Sequence, residues 1–392
     1  MVARLKSLIR GSKFLYDLYY ILGSLFLNLL KYLLPVDDKL ILLSSYSGRK
    51  YDDSPKYIYE QMLKDERFRE MRFVWAFEKE DEYPYIKSEK VNVNSFRYWI
   101  LALKARCWIT NVGIERGLNV KGRNVFYLNT WHGTPIKKIG NDLSIGKNVF
   151  KTNVKRWRLD VLLSQSSYEV EVYSRVFGLP LAKIELTGYP RNDVLLENRD
   201  MDIVRIKKFL GVGKGKKVIL YAPTFRESMV DEKGNFISSP PIEFDRWEQF
   251  LSSDFVVLFR AHSAVNKVLN VQSNSFLIDV SMFDCLNDLM LVSDILISDY
   301  SSIFFDYSIM DKPMLCFAYD YDRYNAERGL YFDIRKELSD EIIDNEDQLL
   351  ESILHLDYQK SIQRTIAFRN KYVTEYGHAT ARCLDILAKN IL

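Results

Sequence analysis

Four cysteines and four histidines are all that this chain of 392 residues carries of the side chains most used to bind soft metals. Cys107, Cys285, Cys316 and Cys383 lie far apart and form neither a C-x-x-C pair nor a His/Cys cluster. That spacing argues against structural zinc and a disulfide framework and fits a reducing compartment. Charge of one sign is also lacking. A formal net charge of +3 means that any basic surface is local, and nucleic acid is not implied. No G-x-G-x-x-G or Walker pattern occurs, which disfavours a dinucleotide oxidoreductase and a P-loop kinase. Internal repeats and low-complexity segments are absent. The apolar run 14–34 is interrupted by Asp17 and Lys31 and has no small-residue cleavage site. Its uncharged part is shorter than the ~20 residues of a spanning helix, so neither a transmembrane helix nor a signal peptide is expected.

What is present is apolar and aromatic: 47% hydrophobic residues and 14% aromatic, with 25 Tyr and 23 Phe. A chain of this length divides naturally into two domains of roughly 150–200 residues. Short apolar runs at 39–44, 72–77, 107–110, 125–129, 161–164 and 184–187 read as buried strands with helices between them. The pattern restarts at 218–222, 256–259, 294–297 and 313–317. Such alternation predicts the α/β class, with parallel sheets covered by helices on both faces. Before the first strand, Leu15, Leu18, Leu22, Leu25 and Leu29 recur at helical spacing behind a basic start of Arg4, Lys6, Arg10 and Lys13. This predicts an amphipathic helix lying in a membrane interface; the alternative is a helix packed on the protein's own core. Residues 207–217 read as an exposed connection into the second domain, and the stretch from about 358 onward as helical.

Two histidines follow strands. His132 stands in Trp131-His132-Gly133-Thr134-Pro135-Ile136-Lys137-Lys138, where an imidazole can carry a proton near neutral pH and turn amides and lysines favour an anion. His262 lies in Arg260-Ala261-His262-Ser263. Arg226, ending Tyr221-Ala222-Pro223-Thr224-Phe225-Arg226, suits either bidentate phosphate binding or a structural ion pair. Ser298-Asp299-Tyr300-Ser301-Ser302 opens an apolar helix, whose first-turn amides and hydroxyls make an anion site, an N-cap, or both. The loop 46–55 could meet a substrate at a strand's carboxyl end, although a plain turn is favoured. Residues 137–158 hold seven Lys and Arg against the single acid Asp142, with Phe150 and Trp157 interleaved. They read as a contact with an anionic membrane or as a solvated helix face.

These motifs, together with Gly188-Tyr189-Pro190-Arg191-Asn192-Asp193 and Arg328-Gly329-Leu330-Tyr331, appear in an order that resembles the CDP-glycerol glycerophosphotransferases of Gram-positive wall teichoic acid synthesis. The resemblance covers roughly residues 40–380. It implies a GT-B-like fold of two Rossmann-like domains facing an interdomain cleft. Taken with the N-terminal periodicity, this divides the chain into a membrane-associating segment 1–36, an acceptor domain 37–200, a CDP-glycerol-binding domain 201–365, and a C-terminal helix 366–392 packing back on the first domain. It further implies transfer of glycerol phosphate to an undecaprenyl-diphosphate-linked disaccharide at the cytoplasmic membrane face, with CMP released and neither metal nor other cofactor. The enzyme would be peripheral, on the anionic membrane surface through 1–34 and 137–158, and a homo-oligomer is compatible with the sequence. His132 would be the general base, with His262 and Arg226 holding the pyrophosphate; the two histidines could exchange roles. Gly133, Thr134, Lys137, Arg260, Asp299, Ser301 and Ser302 would contact substrate. Absence of a large N-terminal extension points to the primase step. The alternatives are a polymerase using CDP-glycerol or CDP-ribitol, a GT-B nucleotide-sugar glycosyltransferase, and a non-catalytic scaffold.

Overall fold

A computed structural model describes residues 12–143, 158–197, 199–224, 226, 241–261 and 273–392. The chain forms two compact units: Met1–His132, Ile139–Asp193 and Glu375–Leu392 make the first, Gly133–Lys138 and Val194–Thr374 the second. Each is built on a parallel sheet, the α/β arrangement expected from a GT-B-like fold.

The first unit holds β1 (Asp37–Ser44), β2 (Arg72–Phe77), β3 (Glu89–Asn92), β4 (Ala105–Thr110), β5 (Phe126–Asn129), β6 (Val161–Ser164) and β7 (Ile184–Leu186). Their spatial order is β3-β2-β1-β4-β5-β6-β7. Leu40, Ile41, Leu42 and Leu43 of β1 are all completely buried, because a strand covered on both faces has no polar side to alternate with. The second unit holds β8 (Lys217–Tyr221), β9 (Phe255–Phe259), β10 (Leu277–Asp279), β11 (Ile295–Ser298) and β12 (Met314–Cys316), in the order β10-β9-β8-β11-β12. Strand order reverses between β1 and β4 in one sheet and between β8 and β11 in the other. At such switch points the loops leaving the carboxyl ends part in opposite directions, which is where α/β sheets hold ligands.

β3 and β10 were not anticipated. Each is a short edge strand with few fully buried positions, so neither carries a strong apolar run. The units also divide differently from the expectation, after Asp193 rather than 200. The helix Tyr358–Tyr372 stays with the second unit, where Phe368 and Tyr372 pack on Phe305 and Phe332. Only from Glu375 does the chain return to the first unit. There the helix Ala379–Ile391 buries Cys383, Leu384, Leu387 and Ile391 in the same core as Trp75 and Tyr59.

The Gly188–Asp193 motif explains this return. Gly188 has φ +80°, and a Cβ there would stand 2.7 Å from the carbonyl oxygen of Glu375, so only glycine lets the two backbones come so close. The Asp193 carboxylate accepts hydrogen bonds from the Ala379 and Thr380 amides at 2.9 and 2.7 Å, satisfying two free donors of the helix's first turn.

The N-terminal helix Lys13–Leu33 is held to the first unit by one face. The Tyr16 and Tyr19 hydroxyls donate to the Gly117 and Arg116 carbonyls, Asn28 donates to the Asn119 carbonyl, and Ser24 Oγ accepts from the Asn119 amide. The five leucines at helical spacing point away from that face and are all exposed, with Phe14, Ile21, Tyr32 and Leu33 alongside them. No helix among the described residues is long and apolar enough to cross a membrane.

Replacing Asp193 with alanine should lower stability by about 1–2 kcal/mol, as loss of a helix cap does. A reduced urea midpoint, followed by tryptophan fluorescence, is the expected reading, and an unchanged midpoint would show that the cap does not secure the helix.

Candidate active site

The loops at the first unit's switch point converge on His132. β5 delivers Asn129, whose side chain accepts from the Trp131 amide and donates to the Val112 carbonyl, tying the ends of β5 and β4 together. Trp131 adopts φ +52°, and its ring lies between the His132 imidazole at 4.2 Å and Phe177 at 4.9 Å. His132 Nδ1 stands 2.8 Å from the backbone carbonyl oxygen of Asn111, the residue directly after β4. A carbonyl can only accept, so Nδ1 carries the hydrogen and the neutral ring keeps its lone pair on Nε2. The residue is exposed by surface area although protein atoms crowd its ring. That desolvation is the main reason its pKa lies below the ordinary histidine value; the Asn111 hydrogen bond and Asp53 act upward, and Arg191 downward.

Behind the imidazole lies a buried polar network. Asn111 Oδ1 accepts from the Tyr46 amide, and its Nδ2 donates to Asp53 Oδ2, both at 2.8 Å. The Tyr46 hydroxyl donates to the same carboxylate oxygen, while the Ser54 amide and Arg191 Nη1 reach Oδ1 at 2.6 and 3.1 Å. Burial alone would raise the Asp53 pKa, but Arg191 and these hydrogen bonds outweigh it and hold the group ionised below the ordinary carboxylate range. Sequence reasoning left loop 46–55 between a substrate contact and a plain turn, favouring the turn, and did not single out Asn111. The one available signal was Arg191, in a motif of no evident chemistry.

The second unit gathers most of the remaining candidates near its own switch point. Gly133 has φ +153° and runs so close to Ser302 that a Cβ would lie 2.5 Å from its Oγ. Ser301 Oγ accepts from the Ile303 amide, so the capping function of the pair falls to Ser301, on a helix of only six residues, Ile303–Ser308. Thr134 is buried. Lys137 bridges to Leu330 in antiparallel fashion and carries its ammonium 5.8 Å from the Tyr324 ring centre, which joins the Pro135–Lys138 and Arg328–Tyr331 motifs within this unit.

Arg226 requires a correction. It does not present its guanidinium at the sheet's edge for phosphate, because it is 2% exposed and held by protein groups. Nε and Nη2 grip Asp320 at 2.7 and 2.8 Å, Nη1 donates to the Thr224 carbonyl, and the rings of Tyr300, Tyr319 and Tyr324 surround it. Asp299, expected to contact substrate, is likewise turned inward: Oδ1 accepts from the Thr224 and Tyr300 amides. Its Oδ2 stands 2.9 Å from Arg226 but makes no well-directed hydrogen bond, so that attraction is electrostatic rather than bidentate. Arg260 Nη1 donates to the Val280 and Phe283 carbonyls and fixes that loop. His262 and most of the basic stretch 137–158 lie outside the described residues. Among the described residues, no three His, Cys, Asp or Glu side chains gather as a metal site would require.

Residues 26–389 match the family model described as CDP-Glycerol:Poly(glycerophosphate) glycerophosphotransferase. A teichoic acid poly(glycerol phosphate) polymerase of Staphylococcus epidermidis is 35% identical over 91% of this chain, and the chain spans about half (51%) of that relative's length. A teichoic acid glycerol-phosphate transferase of Staphylococcus aureus is 33% identical over 89% of this chain and 93% of its own. Among solved structures, a histidine-to-asparagine variant of the wall teichoic acid polymerase TagF, soaked with CDPG, aligns with TM-score 0.85 and 32% identity over 97% of this chain and 98% of that one.

Replacing Gly133 with alanine should destabilise the second unit by about 1–3 kcal/mol for the backbone conformation alone, with a steric cost against Ser302 added. In a Ser302→Gly background the steric part should vanish, making the two changes non-additive in urea unfolding; simple additivity would contradict the close approach.

Proposed function

The chain belongs to the CDP-glycerol:poly(glycerophosphate) glycerophosphotransferase family, and from that premise we propose that it transfers glycerol phosphate from CDP-glycerol to a lipid-linked acceptor in wall teichoic acid synthesis. The observation that carries this reading is the Nδ1–H bond of His132 to the Asn111 carbonyl, which leaves Nε2 able to take a proton. An acceptor hydroxyl loses its proton to Nε2 as its oxygen attacks the glycerol-bearing phosphorus. The new O–P bond forms, the bond to CMP breaks, and CMP departs with the electron pair.

The low pKa of His132 suits this role, since it keeps the imidazole neutral and ready as a base down to lower pH. In the same reading Gly133, Thr134, Lys137, Ser301 and Ser302, all within the second unit, hold phosphate, and Arg226 with Asp299 braces the loops after β8 and β11. His262, read from the sequence alone, holds the pyrophosphate and stabilises charge on the leaving group. No step passes through a metal.

The acceptor in this reading is an undecaprenyl-diphosphate-linked disaccharide and the step is priming. Support comes from the Staphylococcus aureus relative, which is named a glycerol-phosphate transferase rather than a polymerase. Chain extension is the competing reading, favoured by the slightly higher identity to the Staphylococcus epidermidis polymerase. The enzyme works peripherally at the cytoplasmic membrane face, with the outward leucine stripe of Lys13–Leu33 as its contact. Arg158, at the described end of the basic stretch, acts electrostatically on Lys31 of that helix.

Incubation with CDP-glycerol and a short-tailed disaccharide-lipid should release CMP and add one unit by mass analysis. A ladder of products would replace priming by polymerisation, and turnover only with UDP-sugars would overturn the reading. His132→Ala should lower kcat by about 10²–10⁴-fold. The acid limb of kcat/KM should fall below the ordinary histidine pKa of about 6.5, since only the neutral ring accepts a proton; a limb above it would count against His132. Leu18→Glu with Leu25→Glu should weaken liposome sedimentation while sparing transfer to a soluble acceptor analogue, and unchanged sedimentation would remove the helix as the contact.

A further inference from the structure

The polar network behind His132 is more elaborate than the packing of a loop requires. Four non-glycine residues in these loops, Tyr46, Ser47, Asp53 and Trp131, adopt positive φ, a conformation that costs energy and persists only where surrounding contacts enforce it. Asp53 is 2% exposed, Arg191 6% and Asn111 0%, yet all three are polar or charged. Burying a carboxylate and a guanidinium is costly unless both are fully engaged, and replacing such a pair by apolar groups is often neutral for stability. Stability therefore gives a weak reason for the network, and its position gives a stronger one.

Each link passes orientation towards the imidazole. Arg191 fixes Asp53 in an ion pair of 3.1 Å. Asp53, also held by the Ser54 amide and the Tyr46 hydroxyl, accepts from the Asn111 carboxamide. That carboxamide is pinned on its other side by the Tyr46 amide, so the Asn111 residue has no freedom to turn. Its backbone carbonyl is the acceptor of the His132 Nδ1 hydrogen. We propose that Arg191, Asp53 and Asn111 form a positioning relay that holds His132 in the tautomer and orientation needed for proton abstraction. The relay joins the Gly188–Asp193 motif and the loop after β1 to a reaction in which neither touches the reacting atoms. It rests on the reading of His132 as the base.

Partners that orient a functional histidine typically cost 10–100-fold when removed, so Asp53→Asn should lower kcat by about that factor and leave KM for CDP-glycerol within about twofold. A second readout separates positioning from mere folding. The charged groups that act on His132 are Asp53, which favours the imidazolium, and Arg191, which opposes it. With the carboxylate neutralised, the acid limb of the rate profile should move to lower pH, whereas a smaller folded fraction would scale the rate at every pH without moving the limb.

The assay uses the full chain with CDP-glycerol and the disaccharide-lipid, and thermal melts report folding. Folded Asp53→Asn with both kcat and limb unchanged overturns the relay. If Asp53→Asn does not fold, Tyr46→Phe removes one hydrogen bond to the same carboxylate. A fall in its kcat at constant KM, not matched by the folded fraction, supports the relay, and an unchanged kcat overturns it. Wild-type activity in His132→Ala overturns the base reading itself, whereas an inactive His132→Ala beside a fully active Asp53→Asn overturns only the relay.

Discussion

A backbone carbonyl has lone pairs and no hydrogen, and from that constraint the chemistry of the first unit follows. Because the Asn111 oxygen can only accept, the imidazole 2.8 Å away donates from Nδ1 and is left with a basic Nε2. The carbonyl is fixed in turn by the place of Asn111 at the end of β4, beside β1, where the strand order reverses. Trp131 closes the other side of the ring. A histidine in this setting combines a set tautomer with a pKa lowered by crowding, so near neutral pH the ring is uncharged and can accept a proton.

The second unit repeats the geometry with different chemistry. Its switch point lies between β8 and β11, and there an arginine and two carboxylates take the place of the histidine. Arg226 ties the loop after β8 to Asp320, and Asp299 ties the loop after β11 to the Thr224 amide. The ring faces of Tyr300, Tyr319 and Tyr324 complete the enclosure of the guanidinium, where a flat delocalised cation is favoured. Rigid loops of this kind can present the Ser301–Ser302 turn and the Gly133–Lys137 segment without reordering when a ligand arrives.

Legibility in the sequence followed the range of the interaction. Short apolar runs announced ten of the twelve described strands, and β3 and β10 escaped because Glu89–Asn92 and Leu277–Asp279 carry few apolar residues to mark them. The leucine stripe at 15, 18, 22, 25 and 29 was visible as spacing, and the structure turns it outward while polar residues on the other face dock the helix. His132 was legible because a strand, a turn and a histidine are local. Asp53 was not, since its partners Asn111 and Arg191 lie 58 and 138 residues away. Arg226 was misjudged for the same reason. An arginine after a strand looks the same whether it faces a ligand or folds back on an aspartate 94 residues on. The Gly133 turn shows an intermediate case, where the turn itself was visible but the neighbour that makes glycine necessary, Ser302, was not.

The central claim is the protonation state of one imidazole. Nitrogen-15 NMR of the histidine-labelled protein, with His132→Asn as the assignment control, reads it directly at a pH where the ring is neutral. The account predicts a pyrrole-type Nδ1 bearing hydrogen and a pyridine-type Nε2 for His132. Hydrogen on Nε2 instead would contradict it, because the remaining lone pair would then sit on Nδ1, facing the Asn111 carbonyl rather than an acceptor hydroxyl.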